Sequence, residues 1–296
     1  MLFDDQSIVF LDGEYVKLKD AKPHFFSQTF HYGNGVFEGM RSYETADGTR
    51  VFRCREHYKR LLEVAGKLRI QLPYTKEQLS RITYEVLRRN GLSQAYIRPL
   101  AYVGENMTLR STQQAHLCIA AYKWEKLPGD KQLSLMIASY RRPDPRSGIQ
   151  NAKICGYYVN HILATTEARE KGYDDAIMLD VEGNVACGSG ANIFIEKNEV
   201  IYTPAPGHII KGITRSVIME LATAMGIKVV EKSITPQELY EADGAFLTGT
   251  AIEIVPVGKV DQKPFKMVWQ DTIGHMLSRQ YRQLVTRSDN YQHTLI

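Results

Sequence analysis

Apolar positions recur along this chain with periods of about 2 and about 3.6 residues, and the switches between them lay out strands and helices. Ser7–Phe10 and Tyr15–Leu18 flank Asp12-Gly13, a strong hairpin signal. Val51-Phe52-Arg53 reads as a strand entering a helix over Glu56–Ile70. Thr75 with Gln78 three positions later is a capping-box pattern; Leu79, Ile82, Val86 and Leu87 form the stripe of the helix it opens, and Asn90-Gly91 ends it. Tyr96–Leu100 alternates as a strand, which puts the polar tips of Tyr96 and Arg98 on one face, turned either to solvent or into a site. Leu117–Tyr122 is a further strand. Pro128-Gly129-Asp130 marks a linker over residues 123–135.

Beyond the linker, Leu133–Ser139 is strand-like, and the basic, proline-rich Tyr140–Gly148 leads as a loop to Lys153. In the following segment Val159, Ile162, Leu163 and Ala168 punctuate charged residues, which predicts a helix with those four as its buried stripe and Gly172 as its stop. Asp175–Asp180 and the run from Val185 pair around Glu182-Gly183-Asn184. Cys187–Asn192 interrupts that run with small residues before Ile193-Phe194-Ile195 resumes it. Gly212-Ile213-Thr214 opens a helix carrying Val217, Ile218, Leu221, Ala222 and Met225; Thr214 is its expected N-cap, and amides at such a start bind phosphate. Thr235-Pro236-Gln237-Glu238 is a second capping box. Thr248-Gly249-Thr250-Ala251 can turn amides and hydroxyls toward an anion, and Gln270–Leu284 closes the chain as a helix.

Composition narrows the classes. A length of 296 residues, 44% apolar and 24% charged, fits two domains or one large one of a globular enzyme. The net charge of +4 is small and its cations are dispersed, so no nucleic-acid surface is expected. Cys54, Cys118, Cys155 and Cys187 form no CxxC pair, which argues against zinc and against a dense disulfide framework and favours a reducing compartment; no metal site and a cytoplasmic location are expected. The first residues show no secretory pattern, and no stretch reaches the ~18 apolar residues of a membrane span. Among the candidate chemical groups Lys153 stands out, because it precedes a helix and lies beside Tyr157 and Tyr158. A lysine desolvated there has a lowered pKa and a nucleophilic amine. The segment His31–Arg41 alternates glycines with aromatics, compatible with close approach to a ligand or with a bulged strand.

Six segments occur in one order: HYGNGVFEGMRSY at 31–43, FRCREHYKRL at 52–61, AYIRPL at 95–100, AKICGYY at 152–158, GITR at 212–215 and TGTA at 248–251. In this order they resemble the branched-chain aminotransferase family of class IV, fold type IV pyridoxal-phosphate enzymes, over about Gly13–Val260. The resemblance implies a two-domain α/β (α+β) fold with the cofactor in the inter-domain cleft: a small N-terminal domain over 1–122, a linker over 123–135, and a larger C-terminal domain over 136–296 carrying the Schiff-base lysine. It implies transamination of L-leucine, L-isoleucine and L-valine with 2-oxoglutarate. Lys153 matches the catalytic lysine that binds pyridoxal 5′-phosphate and shuttles the proton. Arg60, Ile213, Thr214 and Thr250 match the phosphate ligands, and Tyr158 the phenol near the ring oxygen. Tyr96 and the amides of Thr250-Ala251 match the site of the substrate α-carboxylate; Phe37, Tyr158 and Trp124 match walls of the side-chain pocket. Arg98 and Tyr32 match the groups for the distal carboxylate of glutamate, with Tyr32 reaching in from a neighbouring subunit, so a homodimer or larger homo-oligomer is implied.

One position departs from that pattern. Where the family carries a glutamate that keeps the pyridine nitrogen protonated, this chain has Cys187. A neutral thiol cannot hold a pyridinium electrostatically. Two functions therefore compete: a working branched-chain transaminase, and a pyridoxal-phosphate-binding protein with little turnover. Relatives in the same fold group that act on D-amino acids or lyse aminodeoxychorismate fit less well, because Arg98 in AYIRPL matches the L-branched-chain members.

Overall fold

A computed structural model of the chain describes residues 4–111, 114–124 and 131–287. The chain divides into two compact units. The first takes residues 1–125 together with Lys153–Tyr157 and the chain from Val285; the second takes Lys126–Ala152 and Tyr158–Leu284. The central part of the expected linker, residues 125–130, lies outside the described residues. The mixed α/β class implied by the sequence is the class found.

The first unit is built on an antiparallel sheet in the order Glu14–Lys17, Ile8–Leu11, Ala115–Lys123, Ala95–Val103, Met40–Thr45 and Gly48–Val51, with Gly35–Phe37 also paired to Ala95–Val103. Asp12 and Gly13 both take positive φ, as a two-residue hairpin turn requires. The helices Cys54–Lys67 and Lys76–Arg89 pack against this sheet and each other. The second has the full Thr75/Gln78 capping box expected from the sequence. Their inward stripes, Leu61 and Val64 on one and Leu79, Val86 and Leu87 on the other, are buried with Met40, Ile97, Leu117 and Ile119. Such burial is the main stabilising term available to a unit of this size.

The segment Lys153–Tyr157 belongs to this first unit rather than to the C-terminal domain in which the sequence reading places the lysine. Backbone pairing explains the reassignment. Val36 bridges Ile154, the amide of Phe37 donates to the carbonyl of Lys153 at 3.1 Å, and the amide of Gly156 donates to the carbonyl of Gly33 at 3.1 Å. Gly33 closes a short helix, Gln28–Tyr32, in the left-handed conformation at φ 68°. The sequence pattern predicts no helix in this stretch. A side chain at Gly33 would also collide with Gly156, its Cβ lying 2.5 Å from the Gly156 Cα. The glycines of His31–Arg41 thus do serve close approach: the lysine segment approaches Gly33, and the Tyr96 side chain approaches Gly39.

The second unit is a mixed sheet in the order Val185–Gly188, Asp175–Leu179, Leu133–Ile137, Glu253–Val260, Gly244–Gly249, Asn192–Lys197, Val200–Pro204 and Val229–Lys232. Lys263–Pro264 adds to Glu253–Val260. Its core includes Leu135, Ile177, Ile193, Leu247 and Val260, all fully buried. The helix Ile213–Ala224 links the parallel strands Val200–Pro204 and Val229–Lys232, a strand–helix–strand crossover that puts the helix start beyond the end of a strand. Its N-cap is Gly212, which lends no side-chain bond, and Thr214 lies buried in the first turn, so the expected Thr214 cap is corrected.

The helix Tyr158–Glu170 corrects a second expectation. His161, Ala164 and Ala168 are its buried residues, while Val159 and Ile162 stay 58% and 63% exposed. The small alanines permit close packing on the strand Asp175–Leu179, and the larger apolar residues face away.

Replacing Gly33 by Ala is expected to cost about 1–3 kcal/mol, the scale of a forced left-handed residue, before the collision is counted. Gly66, near the end of the helix Cys54–Lys67, has open space at its Cβ and ordinary φ, so Gly66→Ala is expected to stabilise by up to about 1 kcal/mol. Urea denaturation of both variants checks the opposite signs.

Candidate active site

The first unit gathers Lys153, Phe37, Tyr96, Arg98, Trp124, Glu38, His57 and Arg60. Strand Ala95–Val103 puts Tyr96 and Arg98 on one face, as its alternation requires. The Arg98 guanidinium lies over the Phe37 ring at 4.6 Å and the Tyr96 ring at 5.2 Å, and Nη2 donates to the Tyr96 hydroxyl at 3.5 Å. No carboxylate pairs with Arg98 among the described residues, so its charge is available to an anion. Trp124 packs against Tyr96 at 5.1 Å and Tyr122 at 6.0 Å, so these rings form one apolar wall.

Lys153 projects its Nζ to 5.5 Å from the centre of the Phe37 ring. The residue is half-buried, but its amine end is surrounded by protein. Desolvation lowers its pKa below the ordinary lysine value; Glu38 opposes that shift, and Arg60 adds to it. Glu38 is itself committed elsewhere. It accepts from Arg60 Nε at 2.5 Å and Nη2 at 2.9 Å, and from His57 Nδ1 at 2.9 Å. Burial alone would raise its carboxyl pKa, but the Arg60 guanidinium and the two hydrogen-bonding partners hold it well below the usual carboxylate range. Burial also lowers the pKa of His57, against the pull of Glu38. A carboxylate pinned by two donors has fewer oxygens free to hold a proton on the lysine.

Tyr32 stands apart. It is about half exposed, and its described contacts are to the Met107 carbonyl at 3.4 Å and the His31 ring. Within one chain it does not join the cluster around Arg98.

The second unit holds a separate set: Tyr158, Cys187, Ile213, Thr214, Thr250 and Ala251. Asn192 ties its turns together. Its backbone pairs opposite Thr248, its Nδ2 donates to the Ile210 carbonyl at 3.0 Å, and a Cβ at Gly212 would lie 2.2 Å from its Oδ1. The Thr248–Ala251 turn and the start of the helix Ile213–Ala224 are therefore built on a shared support. Among the described residues, the amides of Ile213 and Thr214 have no acceptor, and the buried Thr248 hydroxyl has no partner. Orphan donors at a helix start fit an anion such as phosphate. Cys187 follows a bulge at Ala186, which re-aims its side chain, and it is buried. Burial pushes its thiol up to about 11, against the influence of Arg142. Tyr158 stacks on His161 at 4.9 Å.

Sequence reasoning misses Glu38, His57, Arg142 and His161. The signals are faint: Glu38 lies among apolar residues and glycines, and His57 one helical turn before Arg60.

A desolvated amine beside aromatic walls and an uncompensated guanidinium defines an enzyme that works on carbonyl compounds carrying carboxylates. Comparison with known proteins agrees. The sequence profile of the family Amino-transferase class IV matches residues 35–260. The branched-chain-amino-acid aminotransferase of Pseudomonas aeruginosa is 41% identical over 289 residues, covering 96% of this chain and 94% of that protein. The crystal structure of the branched-chain aminotransferase from Thermoproteus uzoniensis with norvaline matches with a TM-score of 0.89 at 40% identity, covering 94% of both chains. A second branched-chain amino acid aminotransferase, from T.th. and complexed with N-(5′-phosphopyridoxyl)-L-glutamate, matches at 0.89 and 36% identity, covering 95% of this chain and 94% of that one. This chain belongs to the class IV aminotransferases. No described helix is long and apolar enough to cross a membrane.

Acid stability follows from the Glu38 cluster. A carboxyl held below its ordinary value of 4.5 stabilises the fold above that value, and the contribution is lost as pH falls below it. His57, neutral and lowered from 6.5, acts in the same direction, since the unfolded chain binds its proton first. Urea midpoints across this acid range should fall more steeply for the parent than for Glu38→Gln. At neutral pH that variant should be less stable by up to roughly 3–5 kcal/mol, because it leaves the partly buried Arg60 without the Glu38 carboxylate.

Proposed function

We infer that this chain is a pyridoxal-phosphate-dependent aminotransferase that moves the amino group of L-leucine, L-isoleucine or L-valine to 2-oxoglutarate. The observation that carries this reading is Arg98, a cation with no carboxylate partner among the described residues, set over Phe37 in the same cluster as the desolvated Lys153 amine. One pocket must hold an isobutyl group and, in the other half-reaction, a second carboxylate; an apolar wall with a cation at its rim does both.

The residues present fit the cofactor at two ends. The Lys153 amine is the group to bond the cofactor carbonyl. Arg60, the helix start at Ile213 and Thr214, and Thr250 hold the phosphate, and Tyr158 lies by the ring oxygen. Pyridoxal phosphate supplies an electrophilic carbon and a conjugated ring that spreads the electrons left when a substrate proton departs. Lys153 Nζ, its pKa lowered by desolvation, takes that proton from the substrate Cα. Tyr96 and the amides of Thr250 and Ala251 bind the α-carboxylate, and Phe37, Tyr158 and Trp124 exclude water from around the branched side chain.

The working unit we propose is a homodimer or larger homo-oligomer. Support comes from apolar side chains left outward in each unit: Phe25, Phe30, Tyr32 and Leu109 in the first, and Val159, Ile162 and Leu163 in the second. Tyr32, remote from its own Arg98 cluster, then serves the site of a partner. Cytoplasmic residence is supported by the four free cysteines.

A second reading has one specific observation in its favour. Cys187 is a buried neutral thiol where a carboxylate is expected, so cofactor binding without rapid turnover is the alternative.

An absorbance spectrum of the purified protein, taken before and after L-leucine and again after 2-oxoglutarate, tests the function. Visible cofactor absorbance should be lost with L-leucine and restored with 2-oxoglutarate, with glutamate formed; a spectrum indifferent to both substrates would refute transamination. Arg98→Ala should lose about 10–150-fold more activity toward glutamate and 2-oxoglutarate than toward leucine, corresponding to ~1.5–3 kcal/mol for a charge-assisted bond. Equal losses would remove Arg98 from specificity. Cys187→Glu should raise the rate of the half-reaction with L-leucine at least tenfold, about 1.4 kcal/mol of barrier; single-turnover measurements no faster than the parent would refute a limiting role for the thiol.

A further inference from the structure

The second unit buries a cation that no described group neutralises. Arg142 is 2% exposed and among the largest fully buried side chains described. Its Nε donates to the His208 carbonyl at 3.0 Å, Nη2 to the Gln150 carbonyl at 2.5 Å, and Nη1 to His161 Nε2. All three acceptors are neutral, and no carboxylate pairs with Arg142 among the described residues. His161 is fixed by the same contacts. Its Nδ1 faces the Ser189 carbonyl and so carries the proton, which leaves Nε2 to accept from the guanidinium. Protonating His161 would place a donor against a donor, so the ring stays neutral and adds no counter-charge.

Ser189 lies two residues past Cys187, just beyond the end of the strand, and Cys187 is buried with Ala164, one turn after His161 on the helix Tyr158–Glu170, so Arg142, His161 and Cys187 form one buried group. The other charged group facing it is Asp175, mostly buried. Asp175 Oδ1 accepts from the Ser189 hydroxyl at 2.5 Å and from the Ala176 amide at 2.8 Å; burial raises its carboxyl pKa, and these two bonds oppose that shift. Arg169 and Thr165 on the helix Tyr158–Glu170 favour the Asp175 carboxylate, and the Arg169 cation partly balances its negative charge. At Cys187 the influence of the Arg142 guanidinium, which cannot lose its proton, outweighs the opposite influence of Asp175.

We propose that Arg142, held in place by His161, makes the surroundings of Cys187 electropositive and keeps the ring nitrogen of the bound cofactor unprotonated. This inference rests on the reading above that position 187 faces that nitrogen. It changes what the cysteine means. The thiol is then not a bare loss of a carboxylate, because the cation beside it drives the nitrogen in the same direction. A positive charge nearby disfavours protonation by about one pKa unit or more. Arg142 is a positioning residue in this sense: it acts on the cofactor's charge state through the space beside Cys187.

The test is the nitrogen-15 NMR signal of the holoprotein reconstituted with ring-labelled pyridoxal 5′-phosphate, followed against pH. The parent should give the neutral-pyridine signal at neutral pH. Cys187→Glu, which supplies a carboxylate to the same space, should give the pyridinium signal. Cys187→Ala should remain neutral, because the field comes from Arg142 and not from the thiol. Arg142→Gln should raise the pH at which the signal changes by about one unit or more. Should that variant fail to fold, the Cys187→Ala result decides, since a pyridinium there would show that the thiol itself held the nitrogen neutral. A pyridinium signal in the parent, or a folded Arg142→Gln protein with an unchanged titration, overturns the proposal. A bound cofactor whose signal ignores Cys187→Glu overturns the placement of Cys187 on which it rests, and a protein that binds no cofactor overturns the functional reading as well.

Discussion

The site depends on an amine taken out of water, whose pKa burial lowers, beside a carboxylate that favours its charged form. Lys153 is desolvated, and Glu38 is the strongest influence pulling its proton back. Glu38 cannot complete that pull while Arg60 and His57 occupy its oxygens. A buried charge pair of this kind is weak as a source of net stability, because desolvating both ions offsets most of their attraction. Its use here is local. It fixes the Arg60 fork and leaves the lysine as a base and nucleophile.

That arrangement requires backbone geometry that few residue types allow. Lys153 is placed by a segment that packs on the Gly33 turn, where a Cβ would lie 2.5 Å from the Gly156 Cα. At Gly39, immediately after Glu38, a Cβ would lie 1.8 Å from the Tyr96 hydroxyl. Glycine at these positions lets the carboxylate strand, the lysine segment and the tyrosine wall approach one another. The cost is conformational entropy in the unfolded chain, offset by the burial of Val36, Met40 and Ile97 around them.

Much of this is legible in the residues. Alternation in AYIRPL places Tyr96 and Arg98 on one face, and the contact between them confirms it. Both capping boxes are written in four residues each and are present. Local signals fail where partners are distant in sequence. Val159, Ile162 and Leu163 have helical spacing, yet the face they share is not the one packed on the sheet; periodicity cannot say which surface a stripe will meet. Thr214 has the chemistry of an N-cap, but the preceding loop, held by Asn192, starts the helix two residues earlier. Glu38 and Arg142 are charged residues that the fold buries, and only the fold reveals what each one meets. Position after the linker puts the lysine with the C-terminal half, whereas its backbone hydrogen bonds carry it to the first unit.

The assignment of Lys153 as the residue that bonds the cofactor underlies every role given to its neighbours. Borohydride reduction of the protein after incubation with pyridoxal 5′-phosphate, followed by peptide mapping, tests it most directly. The expected result is one stoichiometric phosphopyridoxyl group on the peptide containing Lys153. The label on another lysine, with Lys153 unmodified, would contradict it.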